Sequence, residues 1–440
     1  MINKKLLLLP LAAAALTGCT FGANIDTLMS PPKLSVEQEQ IYSALTLSTG
    51  NSISLKYPTS GKYLSAFIVE DIDGDGGNEA VVFYEKNSLA VEENTLRINI
   101  LDKSDGSWSS VCDRPVDGSE IEKVIISRLG SSDRMNLIIG SSMINRSEKN
   151  VNIYNYTDGV LESPAFSDSY SFFDVKDLDM DGENEFLLLK GSYTNAPATA
   201  AAYRLDSNGK YIPYYQDLSS SFTEFDTPIY GKIGNGRTGL YIDAGSGAGS
   251  IQTDVIYMDE NGLNKVFATS RESFSTVRPS GCSSFDIDND GIPEIPVQKV
   301  SQGYDENASE SEQIKITEWL YVAEDNSLRK KYTSYYSVNE GYIFIFPEYW
   351  EDNVKVERDA INDEMVFRSY TNGVAGRELL KIYCAEDQPS RDDRIANGYM
   401  MLHTKGDSAY LAYIPPQPDT EGDGLSLTSG DVAVGFHFKE

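Results

Sequence analysis

One nine-residue acidic pattern occurs three times in this chain and restricts its fold more than any other feature. It reads Asp71-Ile72-Asp73-Gly74-Asp75-Gly76-Gly77-Asn78-Glu79, then DLDMDGENE at 177–185, then DIDNDGIPE at 286–294. Carboxylates fall at positions 1, 3, 5 and 9 of each copy and glycine at position 6, a spacing that wraps a hard cation in oxygen ligands around a sharp turn. The expected ligands are Asp71, Asp73, Asp75 and Glu79; Asp177, Asp179, Asp181 and Glu185; and Asp286, Asp288, Asp290 and Glu294. The position-7 residues Gly77, Glu183 and Ile292 would add a backbone carbonyl each, and the expected ion is Ca2+.

An EF-hand would place another Glu at position 12, but Val82, Leu188 and Val297 stand there, so that reading fails. Each loop is followed by a short apolar run rich in strand formers: Ala80-Val81-Val82-Phe83-Tyr84, Phe186-Leu187-Leu188-Leu189 and Ile295-Pro296-Val297. Similar runs, Ala66-Phe67-Ile68-Val69 and Phe172-Phe173-Asp174-Val175, precede the first two. The unit is therefore strand, cation loop, strand.

The loops start at 71, 177 and 286, too far apart for single small β units, and two worn copies lie halfway between them. Residues 128–133 (RLGSSD) sit between Val124-Ile125-Ile126 and Leu137-Ile138-Ile139, and residues 232–236 (KIGNG) between Pro228-Ile229-Tyr230 and Leu240-Tyr241-Ile242. Position 2 is then Ile72, Leu129, Leu178, Ile233 and Ile287, apolar in all five. Further along each unit comes a turn signal: Asp105-Gly106, Asp158-Gly159, Asn208-Gly209, Asn261-Gly262 and Asp325-Asn326. These residues tolerate the positive φ that a two-residue hairpin demands. Arg128 and Lys232 put a cation at the first ligand position of the worn loops, which repels calcium, so neither is assigned a metal.

Units of four strands repeating at intervals of 57, 49, 55 and 54 residues read as propeller blades, so the expected fold class is mainly β, a β-propeller. The register resembles the FG-GAP and VCBS-type calcium repeats of integrin-like and bacterial surface propellers over about residues 60–335. That resemblance implies a ring, five blades being the simplest closure and six the alternative, and residues 53–57 offer a closing strand. After about residue 338 the period is lost, and alternating runs such as Leu379-Leu380-Lys381-Ile382-Tyr383 indicate a small antiparallel α+β domain. Its opening, Gly341-Tyr342-Ile343-Phe344-Ile345-Phe346-Pro347-Glu348-Tyr349-Trp350, loosely resembles PsbP-like domains and the tails of lipoproteins from Gram-positive bacteria.

The N-terminus carries Lys4-Lys5 and an apolar run from Leu6 to Leu16, then Thr17-Gly18-Cys19, which resembles a bacterial lipobox whose Cys is lipidated. The expected organisation is a signal peptide at 1–18, lipidated Cys19 with tether and helix at 19–50, a propeller at 51–337 and an α+β domain at 338–440. The helix would open on the capping box Ser35-Val36-Glu37-Gln38 with Ile41, Ala44 and Leu45 on one face. The expected location is the extracytoplasmic face of a bacterial cell membrane.

With 67 acidic residues against 37 Lys and Arg the net charge is −30, and loss of Lys4 and Lys5 with the signal takes it to −32. A field of that sign opposes nucleic acid. Three calcium ions would restore 6 of those charges, so most of the acidity is surface charge. After Cys19 an odd, sparse set remains, Cys112, Cys282 and Cys384, which gives no disulfide framework and reads as buried small hydrophobes.

Enzyme chemistry finds little support. The two histidines, His403 and His437, lack metal-ligand spacing, and no nucleophile elbow, HExxH or P-loop is present. The GxGxxG match at 234–239 runs into a strand pattern, whereas a dinucleotide loop must open a helix. No catalytic residue is assigned. The expected function is a lipid-anchored extracellular calcium-binding propeller that binds a surface protein or glycan. The alternatives are an envelope enzyme acting on polysaccharide and a structural envelope lipoprotein. Changing Cys19→Ala should leave the protein unprocessed or release it from membranes, and mass spectrometry finding an unmodified Cys19 in the mature wild type would refute lipidation.

Overall fold

The computed structural model describes residues 34–87, 96–131, 134–143, 148–193, 196–247, 249–305, 307–416 and 423–438. Cys19 and its tether lie outside these residues, as do Ser132 and Asp133 of the second loop.

The first described element is the helix Val36–Thr49. Its capping box forms as the sequence predicts: the Gln38 amide donates to Ser35 Oγ at 3.1 Å and the Ser35 amide to Gln38 Oε1 at 3.0 Å. Ile41 and Leu45, four apart on one face, are fully buried against Phe67, Ala80, Val82, Tyr84, Leu101 and Trp108 of the first sheet.

The rest of the fold is mainly β, a propeller-like succession of antiparallel sheets in which sequence neighbours pair. Sheet 1 comprises Phe67–Glu70, Glu79–Lys86, Leu96–Ser104 and Ser107–Pro115. Sheet 2 comprises Glu120–Arg128, Met135–Ser142, Lys149–Thr157 and Phe166–Tyr170. Sheet 3 comprises Phe172–Lys176, Glu185–Lys190, Thr199–Leu205 and Tyr211–Asp217. Sheet 4 comprises Ile229–Lys232, Thr238–Gly247, Ser250–Asp259 and Gly262–Lys265. In sheet 5 the first strand shrinks to one bridge, Phe285 with Glu294, ahead of Ile295–Val300, Lys315–Val322 and Leu328–Ser337.

Residues on both sides of position 338 share sheet 5, because Tyr342–Ile345 pairs with Leu328–Ser337 and receives Phe436–Phe438 on its other edge. The sixth sheet holds Val354–Asp359, Glu364–Thr371, Val374–Ala385, Ser408–Tyr413 and Met400–Lys405 in that order.

Strand Ile53–Lys56 does not close a ring in the described structure. It pairs with residues 83–86 of Glu79–Lys86, the half of that strand that Phe67–Glu70 is too short to reach. An unpaired backbone edge is a strong acceptor of another strand, and the nearest chain segment fills it.

The middle strands are buried on both faces, which explains their unbroken apolar runs. Along Glu79–Lys86, Val81 and Phe83 face sheet 2 with Ile121, Val124, Leu137 and Ile139, while Ala80, Val82 and Tyr84 face the helix. The same alternation packs Ile138 and Ile153 on Phe186 and Leu188, then Leu187 and Leu189 on Leu240 and Ile242, then Tyr241 and Val255 on Ile295 and Val322. Sheet 5 in turn meets sheet 6 through Ile316, Tyr342 and Phe344 against Val356, Phe367 and Leu380.

The five position-2 residues confirm the repeat register: Ile72, Leu129, Leu178, Ile233 and Ile287 are all buried. Each worn loop docks on the acidic loop that follows it. Gly130 donates its amide to Asn184 O at 3.0 Å, and Lys232 donates its own to Gly291 O at 2.7 Å. The glycines of the worn loops permit this approach: a Cβ on Gly130 would sit 2.6 Å from Leu205 O, and one on Gly234 would sit 2.1 Å from the carbonyl carbon of Ala323. The GxGxxG match is thus a packing feature followed by a strand. Gly234→Ala should cost about 3 kcal/mol or more, since backbone cannot yield there. Gly245→Ala, whose Cβ meets nothing closer than 3.7 Å, should shift stability far less in the same denaturation experiment.

Candidate metal centres

Left-handed residues at loop positions 4 and 6 carry the turn. Gly76, Gly182 and Gly291 have φ of 90°, 93° and 87°, and position 4 is also left-handed at Gly74, Met180 and Asn289. That path folds each loop back so that its backbone amides point at its own carboxylates. Asp71 accepts from Gly74 at 2.6 Å and Gly76 at 3.0 Å, and Asp75 accepts from Gly77 at 2.6 Å. Asp177 accepts from Gly182 at 3.0 Å and Asp181 from Glu183 at 2.8 Å. Asp286 accepts from Gly291 at 2.8 Å and Asp290 from Ile292 at 2.8 Å.

At the root of each loop the position-9 carboxylate performs the same act. Glu79 accepts from the Ile72 amide at 2.9 Å, Glu185 from Leu178 at 2.9 Å and Glu294 from Ile287 at 3.0 Å. These three glutamates are 2%, 1% and 0% exposed. Burial pushes the Glu79 and Glu185 carboxyls up to about 7 and raises that of Glu294.

The structure brings together Asp71, Asp73 and Glu79 in the first loop and Asp177, Asp179 and Glu185 in the second, each set with a carboxylate oxygen from every member within 4.8 Å of the others. Asp75 and Asp181 are exposed and stand apart from these sets. In the third loop the set is Asp286, Asp288 and Asp290, and Glu294 is held away from it. The carbonyls expected from Gly77, Glu183 and Ile292 belong to residues whose amides brace the position-5 carboxylates.

The donor set fits a hard divalent cation, being all oxygen and mostly carboxylate. An orphaned pair of atoms supports the fit: Asp177 Oδ1 and Asp179 Oδ1 are buried and have no hydrogen-bond partner. Buried carboxylate oxygens without a donor are costly unless something cationic meets them.

Basic and polar side chains that sequence spacing did not reveal also enter two of the loops. Arg204, on the third strand of sheet 3, contacts Asp179 Oδ2 and reaches Glu185 Oε1 at 3.3 Å. Lys331, on sheet 5, lies 2.7 Å from Asp288, 2.6 Å from Asp290 and 2.8 Å from Glu294, and Tyr332 donates to Asp288 at 2.6 Å. At Asp288 burial raises the carboxyl pKa, but the hydrogen bonds from Lys331 and Tyr332 outweigh it and hold it below its usual value. Among the described residues no Lys or Arg pairs with Asp71, Asp73, Asp75 or Glu79. These partners lie on later strands of the same sheets, so no local pattern could have disclosed them.

The remaining candidates are structural in character. His403 stacks on Phe438 with ring centroids 4.9 Å apart, and burial lowers the His437 pKa. Of the free cysteines Cys282 is buried, whereas Cys112 and Cys384 are half-buried, short of the full burial expected for all three. No protein-family model and no curated protein matches the chain. Among solved structures it is similar to Sqt1 of Saccharomyces cerevisiae at 10% identity and TM-score 0.31, over 80% of this chain and 98% of that one. The polysaccharide lyase Uly1 gives 9% identity and TM-score 0.31 over 81% and 92%, and the Dos1 propeller 10% and 0.29 over 81% and 80%. Scores at that level carry no statement about what this chain binds.

Glu79→Ala would strand the buried Ile72 amide and should cost about 1–3 kcal/mol whether or not calcium is present. Glu79→Gln keeps an acceptor for that amide and removes a charge. Because the folded carboxyl titrates at about 7 against a usual 4.5, its ionisation destabilises the metal-free fold progressively as pH rises from about 4.5 to 7. In chelator at pH 7, Glu79→Gln should therefore match or exceed the wild type in urea midpoint.

Proposed function

We propose that this protein is a calcium-stabilised, propeller-like protein of the FG-GAP and VCBS type, with five blade-like repeat units and a C-terminal α+β domain as accessory. It is held by lipid on Cys19 at the outer face of a bacterial cell membrane, where it binds a surface protein or a glycan. The observation that carries this reading is the repetition, in three sheets, of one carboxylate loop with the same left-handed turn and the same buried position-9 glutamate. Repetition of a site around a scaffold suits a structural ion better than a catalytic one: three carboxylates converge in each loop, and with the fourth carboxylate and the carbonyl expected from the pattern they would occupy most of the 6–8 positions that calcium offers. The ion staples the first two strands of a blade, and the strand edges and loops remain to meet a partner.

Charge narrows the partner. A chain at −30 repels nucleic acid and anionic headgroups, which leaves proteins and neutral or cationic glycans. None of the described helices is long and apolar enough to cross a membrane. Extracellular calcium modules bind at about 10⁻⁴–10⁻³ M, and tenfold excess over the dissociation constant adds roughly 1.4 kcal/mol per site. Chelation should accordingly lower the melting temperature by several degrees and calcium should restore it. A glycan array and a surface-protein pull-down should retain one partner in calcium and lose it in chelator. An unchanged melt in chelator, with no calcium found by metal analysis, would refute the reading.

A further inference from the structure

The three acidic loops share a sequence pattern but not an electrostatic environment, and the ladder register shows why. One rung past Phe186–Tyr203, sheet 3 sets Arg204 beside Glu185; one rung past Ala80–Leu101, sheet 1 sets Asp102 in the same place beside Glu79. Asp102 adds to the negative field on Glu79, where Arg204 relieves it on Glu185. In sheet 5 the cation arrives by another route. Trp319 faces Tyr332 while Leu320 faces Lys330, so Lys331 is the extra residue of a bulge that turns its ammonium onto Asp288, Asp290 and Glu294. The docking of worn loops follows the same division. Loops 177–185 and 286–294 each receive the preceding worn loop, while no worn copy precedes loop 71–79.

We propose that the loops divide by function: 71–79 is the loop that depends on a divalent cation, whereas Arg204 and Lys331 are built-in counter-ions that hold 177–185 and 286–294 folded without one. Calcium enters those two loops only by displacing the basic side chain, and binds them more weakly. This rests on the calcium reading above and deepens it. The chemistry is a competition for the same oxygens. An ion at loop 177–185 needs Asp179 and Glu185, both held by Arg204, although Asp177 Oδ1 and Asp179 Oδ1 stay unpartnered and mark where it would sit. An ion at loop 286–294 would have to expel an ammonium that touches three carboxylates at once. At loop 71–79 no cationic side chain among the described residues stands in the way, and the five carboxylates of Asp71, Asp73, Asp75, Glu79 and Asp102 repel one another until an ion arrives.

The test is calorimetric titration of calcium into the stripped full-length protein, with melting followed in parallel. The wild type should show one tight site and a weaker class. Asp73→Asn should abolish the tight site, and Asp179→Asn should leave it in place. Arg204→Gln and Lys331→Gln should each lower the melting temperature without calcium and tighten one further site by roughly tenfold or more. Asp102→Arg supplies a reciprocal check that does not touch a ligand: it should weaken the tight site by roughly tenfold and reduce the melting shift that chelator produces. Three sites of equal affinity, unmoved by Arg204→Gln, Lys331→Gln and Asp102→Arg, would overturn the division while leaving calcium binding intact. Absence of any binding heat or calcium-dependent melting shift would overturn both.

Discussion

The rest of the fold depends on one buried carboxylate repeated three times. At or just before the start of each second strand, Glu79, Glu185 or Glu294 reaches back seven residues to accept the amide of an apolar residue buried at the loop root. This bond closes the loop into a compact turn and lets Ile72, Leu178 and Ile287 sink into the core. A glutamate is long enough to span that gap, and its second oxygen meets Arg204 at Glu185 and Lys331 at Glu294. The bond to the buried amide explains why position 9 tolerates burial that carboxylates ordinarily avoid.

That arrangement creates an electrostatic problem that each sheet resolves differently. Two carboxylates about 4.8 Å apart repel by roughly 3–4 kcal/mol at an effective dielectric near 20, a figure reduced by the water that reaches the open rim. In sheets 3 and 5 a basic residue from the neighbouring ladder absorbs part of this. In sheet 1 an aspartate, Asp102, stands in the corresponding place and adds to the repulsion.

Packing between sheets sets the scale against which these loops act. Each middle strand is apolar on both faces because it lies between two other layers, and the series ends on different caps: a two-turn contact from the helix Val36–Thr49 at sheet 1 and the sixth sheet at sheet 5. The acidic loops join the first two strands of sheets 1, 3 and 5, while in sheets 2 and 4 the worn copies at 128 and 232 have exchanged carboxylates for backbone contact. A loop that docks on its neighbour through a glycine needs no ion to hold its shape.

The loops themselves were legible because a cation turn is local: its ligands, glycine and apolar anchor lie within nine residues, so spacing alone reveals them. The five-unit register was legible for the same reason, through the apolar position 2 and the hairpin signals, and strand identity followed from runs such as Ala80-Val81-Val82-Phe83-Tyr84. What lay beyond the sequence was everything that depends on which strands become neighbours. The pairing of Ile53–Lys56 with the first sheet was decided by an edge left bare. The approach of Gly234 to Ala323 was decided by the packing of one sheet on the next. Whether a loop meets Arg204, Lys331 or Asp102 was decided by ladder register and one bulge, across separations of 19 to 43 residues that no spacing rule spans. The sequence by itself determined where carboxylates gather; the tertiary structure decided which gathering already has its counter-charge, because charge balance is a property of neighbours in space.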